Sequence, residues 1–175
     1  KAVEASVLWL YEDNAAAAEH LKKEAHNQGV DSARIIFATK MPLEEHLTRH
    51  RLGDLFLDTL PYNAHTTASD ALWAGLPVLT CMDEGFSSRV AASLLNAVGL
   101  DELVTQSQQD FEALAIALAN DCERLSDIRA RLHTNRLTMP LFDTELITRH
   151  LETAYAQVYA RKQSGLPADH VYVTA

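Results

Sequence analysis

The chain has 175 residues, 47% hydrophobic and 22% charged, with 24 acidic against 15 basic side chains and a formal net charge of −9. That balance suits one soluble globular domain and excludes a disordered chain; at this length roughly 70% of the unfolded surface can be buried, so a core needs neither disulfide nor metal. The acid excess also argues against a sequence-independent grip on nucleic acid or anionic lipid, both of which need clustered Lys and Arg.

Short apolar runs alternate with stretches of helical period through the first hundred residues, the pattern of βαβ units and a parallel sheet. In chain order the expected elements are a strand at 7–11, an alanine-rich helix at 14–28, a strand at 34–38 and a helix at 43–51. A strand at 54–58, a helix at 66–74, a strand at 77–81 and a helix at 87–98 follow. The strands are nearly continuously apolar, which predicts burial on both faces. Gly29, Gly75 and Gly99 each close a periodic segment, where a residue able to take positive φ ends a helix. After Gly99 the pattern predicts helices only, at 108–120, 122–137 and 144–163, forming a layer that closes the domain. Residues 164–175, with Gly165 and Pro167 and no period, read as a tail.

In a parallel α/β sheet, ligands sit beyond the carboxyl ends of the strands, where loops lead into helix N-termini. The richest such loop is Thr59-Leu-Pro-Tyr-Asn-Ala-His-Thr-Thr-Ala-Ser-Asp70. The free N–H groups and positive dipole end of the helix it opens favour an anion, and the Thr66 and Thr67 hydroxyls add donors without charge. A phosphate or diphosphate fits. A capping reading stands beside it: Thr66 or Thr67 as the N-cap, with Asp70 completing a capping box three residues after Thr67. His65, just before the two threonines, can donate to a phosphate oxygen, although a lone loop histidine is more often simply satisfied by its neighbours. Asp70, one turn in, is placed to accept from a ribose diol.

The loop after the second strand leads into Glu44 and Glu45, which suit a helix start, and into His46 and Arg49, which at i and i+3 share a face able to stack on a planar base. A third loop carries Ser87 and Ser88, expected to start a helix, and Arg89, a phosphate partner or a plain surface charge. No metal-ligand spacing, nucleophile elbow, ATPase loop or dinucleotide fingerprint occurs. Cys81 and Cys122 are far apart with no C-x-x-C pair, which suits a reducing compartment and a cytoplasmic location. No apolar run approaches the roughly 18 to 20 residues of a membrane span, and no leader pattern opens the chain. With no initiator Met and an apolar run from Ser6, the chain reads as a fragment.

These residues carry a family resemblance. Asp58-Thr59, Asn63-Ala-His-Thr-Thr-Ala-Ser-Asp-Ala-Leu-Trp-Ala-Gly75 with Pro77, and Ser88-Arg-Val-Ala-Ala-Ser93 resemble the catalytic region of O-linked N-acetylglucosamine transferases, glycosyltransferase family 41 of GT-B fold and SPINDLY type. Ser6-Val-Leu-Trp-Leu10, Arg34-Ile-Ile-Phe37, Glu44-Glu-His46, Pro140-Leu-Phe142 and Pro167-Ala-Asp-His170 match in the same order, so the resemblance covers nearly the whole chain.

The resemblance implies a Rossmann-like, three-layer parallel α/β domain at 1–163, the donor-binding half of the enzyme without its first strand, closed by C-terminal helices. It implies UDP-N-acetylglucosamine as donor, Ser/Thr hydroxyls of acceptor proteins as targets, and no metal or other cofactor. By likeness His65, Thr66 and Thr67 hold the diphosphate, with His65 stabilising the leaving group, Asp70 the ribose, and His46 with Arg49 the uracil region. Three departures accompany it. Leu43 stands where animal members have a lysine near the ribose, with Lys40 three residues earlier. Tyr62 stands where some relatives have a smaller residue beside the donor sugar. The family's diphosphate-contacting Gln and Lys loop, acceptor half and helical repeats are not in these residues, so the isolated chain is expected to be inactive and at most to bind UDP weakly. Two alternatives are a nucleotide-sugar epimerase of the same architecture, against which the Trp73-Ala-Gly75 and Ser88-Arg-Val90 blocks speak, and a non-catalytic protein-interaction module in which the Thr66 helix start is only a cap.

Overall fold

A computed structural model describes residues 1–173; the last two residues of the expected tail, Thr174 and Ala175, lie outside the described residues. The βα alternation predicted from the sequence is present. Strand β1 (Leu8–Tyr11) leads through α1 (Ala15–Asn27) to β2 (Ile35–Ala38), which pairs with it in parallel, Leu8 opposite Ile35 and Tyr11 opposite Ala38. Helix α2 (Leu43–Arg49), extended by a 3-10 turn at His50–Leu52, leads to β3 (Phe56–Leu57). Helix α3 (Thr66–Ala74), β4 (Val78–Cys81), α4 (Val90–Ala97) and β5 (Val104–Thr105) complete a second parallel sheet of order β3-β4-β5. Three helices follow, α5 (Gln108–Asn120), α6 (Cys122–Thr138) and α7 (Thr144–Gln163).

Several sequence expectations need correction. A strand follows Gly99: β5 runs parallel to β4, with Cys81 opposite Thr105, and only then do helices take over. Two residues are too short to show a period, and the 3-10 turn at Asp101–Leu103 hides their approach. The strand expected at 54–58 shrinks to Phe56–Leu57, because only those residues hold a partner register on β4. Burial on both faces holds for β4, all four of whose residues are buried, and fails for β1, where Leu8, Trp9 and Tyr11 are exposed. The apolar run of β1 lacks a cover because α1 buries a single residue, Ala18, and β1 pairs along one edge alone.

The core lies around β4. Leu72 of α3, Leu79 of β4, Leu95 of α4, Leu118 of α5 and Leu132 of α6 are completely buried there and pack as one cluster. Helices α5 and α6 thus close this sheet, whereas α7 buries no residue at all. Gly75 ends α3 at φ +90°, a left-handed conformation that any side chain would strain, and its N–H closes the helix on Leu72 O. The turn it makes feeds Pro77 directly into β4, so the site-bearing helix is pinned to the best-buried strand. Gly29 and Gly99 also have positive φ, as expected.

Candidate functional site at the start of helix α3

Four helices begin with a side-chain cap: Asn14 accepts from Ala17 N–H, Ser107 from Asp110, Asp121 from Arg124 and Asp143 from Leu146. Helix α3 does not. Its N-cap residue is His65, with φ −103° and ψ −92° and no side-chain cap bond. The capping reading is therefore corrected: the Thr66 and Thr67 hydroxyls bond nothing among the described residues, and Asp70 reaches back to no N–H. The box fails because helical geometry begins at Thr66, which places both threonines inside the first turn. The backbone N–H groups of Thr66, Thr67 and Ala68 are left without a protein partner among the described residues. An uncapped N-terminus presents donors and the positive end of the helix dipole outward, the arrangement that accepts an anion.

The His65 ring is held on three sides. It stacks on Tyr62 with centroids 4.8 Å apart and planes inclined by 20°, and meets Phe86 edge-on at 6.1 Å. Its Nε2 lies 3.4 Å from Ser87 O; a carbonyl can only accept, so Nε2 carries the proton in that contact. In the neutral ring this leaves Nδ1 as the free acceptor. Tyr62 is 64% exposed, so this aromatic face is open to a ligand.

Helix α2 brings His46 and Arg49 onto one face, as their spacing predicts. Arg49 donates through Nη2 to His46 Nδ1 at 2.6 Å and through Nη1 to Thr39 O at 2.8 Å. A guanidinium never accepts, so His46 Nδ1 is the acceptor and the proton sits on Nε2. Burial holds the His46 pKa below its usual value, with the Arg49 charge and His50 adding to the depression and Asp70 opposing it. The influence of Asp70 follows from the packing of α2 against α3. The structure thus gathers His46, Arg49 and Asp70 at one helix–helix contact, and His65, Thr66 and Thr67 at the open end of α3.

Other expected contributors stand apart. Arg89 is exposed, occupies the N-cap position of α4 and makes no side-chain bond among the described residues. Ser87 and Ser88 do not start α4, which begins at Val90; they form a 3-10 turn whose Ser88 hydroxyl donates to Gly85 O. The role of Ser87 is instead its carbonyl, which accepts from Asn63 N–H at 2.9 Å and faces His65. Leu43 is the exposed first residue of α2, and Lys40 is exposed in the loop before it.

The residues the sequence reading passed over lie beneath the loop. Asp58, at the end of β3, is 8% exposed and accepts three bonds, from Thr59 N–H, Ala64 N–H and the Thr80 hydroxyl. Asn63 is buried with its Nδ2 donating to Thr59 O, and its Oδ1 has no partner. The signal in the sequence was a carboxylate and a carboxamide bracketing an otherwise apolar or small-residue stretch. On the other side of the loop a cavity of about 460 Å³ opens beyond the carboxyl ends of β4 and β5, lined among others by Pro61, Cys81, Asp83 and Gln106. Among the described residues no three His, Cys, Asp or Glu side chains gather closely enough to hold a metal ion, and no helix is long and apolar enough to cross a membrane.

A parallel α/β fold with an uncapped helix start beyond its strands defines the class: an α/β domain that presents free helix N–H groups at the carboxyl edge of its sheet. The comparisons refine it. A profile described as glycosyl transferase family 41 matches residues 1–151. The chain belongs to that family. It is 37% identical over 166 residues to the UDP-N-acetylglucosamine–peptide N-acetylglucosaminyltransferase of Caenorhabditis elegans, a match that covers 95% of this chain and 14% of that protein. It also superposes on a mutant O-GlcNAc transferase of Thermobaculum terrenum with a TM-score of 0.82 and 30% identity, over 87% of this chain and 30% of that one. The chain therefore spans about one seventh of the worm relative. The Rossmann-like α/β fold implied by the resemblance is the fold of the matched region.

Proposed function

We propose that this chain is the donor-binding part of a protein O-linked N-acetylglucosaminyltransferase, taking UDP-N-acetylglucosamine and serving transfer of the sugar to Ser/Thr hydroxyls of acceptor proteins. The observation that carries this reading is the uncapped start of α3, with His65 and the free Thr66 and Thr67 hydroxyls around it. The names of the relatives point the same way, since the worm protein and the bacterial one are both described as transferases of this sugar. In this reading the α3 N–H groups, Thr66, Thr67 and His65 hold the diphosphate, Asp70 takes the ribose hydroxyls, and His46 with Arg49 lines the uracil end. Tyr62 neighbours the sugar.

The chemistry needs no nucleophile from this part. As the bond between sugar and diphosphate breaks, negative charge grows on the departing β-phosphate. Preorganised N–H, hydroxyl and imidazole donors stabilise that charge more than they stabilise the bound donor, which lowers the barrier. His65 contributes when its Nε2–H turns from the long contact with Ser87 O to the departing phosphate. The acceptor hydroxyl, the protein surface that recruits it and a cytoplasmic setting belong to the same proposal.

Residues 1–163 form the nucleotide-binding domain in this proposal, with the segment from 164 as a tail; Arg161 holds that segment through Pro167 O and Asp169. The two sheets support a domain that is short of one strand. Their orders, β1-β2 and β3-β4-β5, fit a doubly wound sheet of order 3-2-1-4-5-6 from which the first member is missing, and a parallel strand between the free edges of β1 and β3 would join them.

Thermal unfolding with and without UDP tests the proposal. Millimolar UDP should raise the melting temperature of the chain, and Thr67→Ala or Asp70→Ala should remove most of the rise. Saturation near a hundred times Kd would give about 2.7 kcal/mol. A rise that survives both substitutions would place UDP elsewhere and defeat the assignment.

A further inference from the structure

We propose that Asp58 is a positioning residue for the diphosphate cradle, acting through the peptide that precedes His65; this rests on the nucleotide-binding reading above. Its carboxylate is buried and spans two structures. Oδ1 accepts from Thr59 N–H at 2.8 Å and from Ala64 N–H at 2.7 Å, while Oδ2 accepts from the Thr80 hydroxyl at 2.6 Å. Thr80 is completely buried in β4, and its own carbonyl accepts from the buried Thr105 hydroxyl of β5 at 3.0 Å. A chain of hydrogen bonds thus runs across the carboxyl ends of the strands, from Thr105 of β5 through Thr80 of β4 to Asp58, just past β3. It terminates on the N–H of Ala64.

Ala64 is the residue before His65, whose φ and ψ set both the direction of the imidazole and the angle at which α3 departs. Rotation of the 64–65 peptide would swing the ring and the Thr66 and Thr67 N–H groups together. Two further ties, Thr59 Oγ1 donating to Tyr62 O and Asn63 Nδ2 to Thr59 O at 2.8–2.9 Å, bind the loop to itself, while Asn63 reaches out of it through its N–H to Ser87 O at 2.9 Å and through Nδ2 to Cys81 O at 3.5 Å; none of these holds the 64–65 peptide. Asp58 joins the peptide next to His65 to the buried sheet through a charge-assisted bond, shorter and stronger than a neutral one. The residue itself touches no ligand in this account. Its carboxylate accepts from three inward donors, so its negative charge is engaged within the fold.

Affinities for UDP and UMP, measured by calorimetry on the parent chain and on Asp58→Ala and Asp58→Asn, separate this role from a general structural one. Asparagine keeps an oxygen for the Ala64 and Thr59 N–H groups and should retain the parent preference for UDP over UMP. Alanine removes the anchor and should cost about tenfold in UDP affinity, the effect of one bond to a charged group, with a much smaller loss for UMP. If Asp58→Ala does not fold, as judged by its melting transition, Asp58→Leu takes its place, since it removes both acceptor oxygens with little change in side-chain shape. A folded disrupting variant with the parent UDP-to-UMP ratio overturns the positioning role while leaving nucleotide binding intact, as does an asparagine variant that loses as much selectivity as the disrupting one. A parent chain that binds neither nucleotide defeats the binding reading itself, and the inference with it.

Discussion

His46 illustrates how local partners set the chemistry of one ring. Its Nδ1 is occupied by the Arg49 guanidinium, so protonation must displace a bond and create a second positive charge beside the first. Burial, Arg49 and His50 therefore hold its pKa below the usual value in the folded chain. As pH falls past the ordinary histidine value, the unfolded chain takes up a proton that the folded one resists, and stability is lost. At pH above that value neither state is protonated and the group contributes nothing to the pH dependence. His46→Gln should accordingly flatten part of the decline in melting temperature between neutral pH and about pH 5.5, the range in which an ordinary histidine titrates. Equal declines in parent and variant would show that His46 is not depressed. At the same scale the sequence disclosed the exposed donors and hid the bonding of the buried carboxylate. His65, Thr66 and Thr67 stand out because polar residues cluster in one loop, whereas Asp58 reads as the end of a strand until its three donors, up to 22 residues away, are seen.

Among the elements, legibility follows length. Helices α3, α5 and α7 begin and end where the apolar period places them. Strand β5 escapes because two residues carry no alternation, and the exposure of β1 escapes because an apolar run cannot reveal whether a cover exists. This difference has a measurable consequence. Amides of β4, paired on both sides and buried, should exchange with solvent only on global unfolding, while those of β1 and β2 should open locally and exchange orders of magnitude faster. Hydrogen exchange followed by mass spectrometry reads both, and equal protection would show that the two sheets unfold as one. Core weight lies on the same side. Leu79→Ala in β4 should cost roughly 2 to 5 kcal/mol in urea unfolding, the range for a large buried side chain that leaves a cavity, whereas Leu8→Ala in β1 should cost well under that.

At the scale of the whole molecule, an acid excess is compatible with the proposed anion site because the two act over different distances. A net charge of −9 spread over the surface is screened within about 8 to 10 Å at physiological salt, while helix N–H groups and an imidazole meet a phosphate in direct contact. The exposed residues of β1 and the unburied length of α7 stand in a chain that spans about one seventh of the worm relative. The fold class was open to sequence reasoning, as was the placement of the candidate loop beyond the strands, since both follow from the βα rhythm. The division into two sheets was not, because it depends on pairing between distant edges.

The most direct test is a nuclear magnetic resonance titration of the isotope-labelled chain with UDP. The account predicts that the amides of Ala64 to Ala68 shift first and most, with smaller shifts at His46, Arg49 and Asp70 on the facing helices. Shifts concentrated instead around Cys81, Asp83 and Gln106, at the cavity beyond β4 and β5, with none at the start of α3, would contradict it.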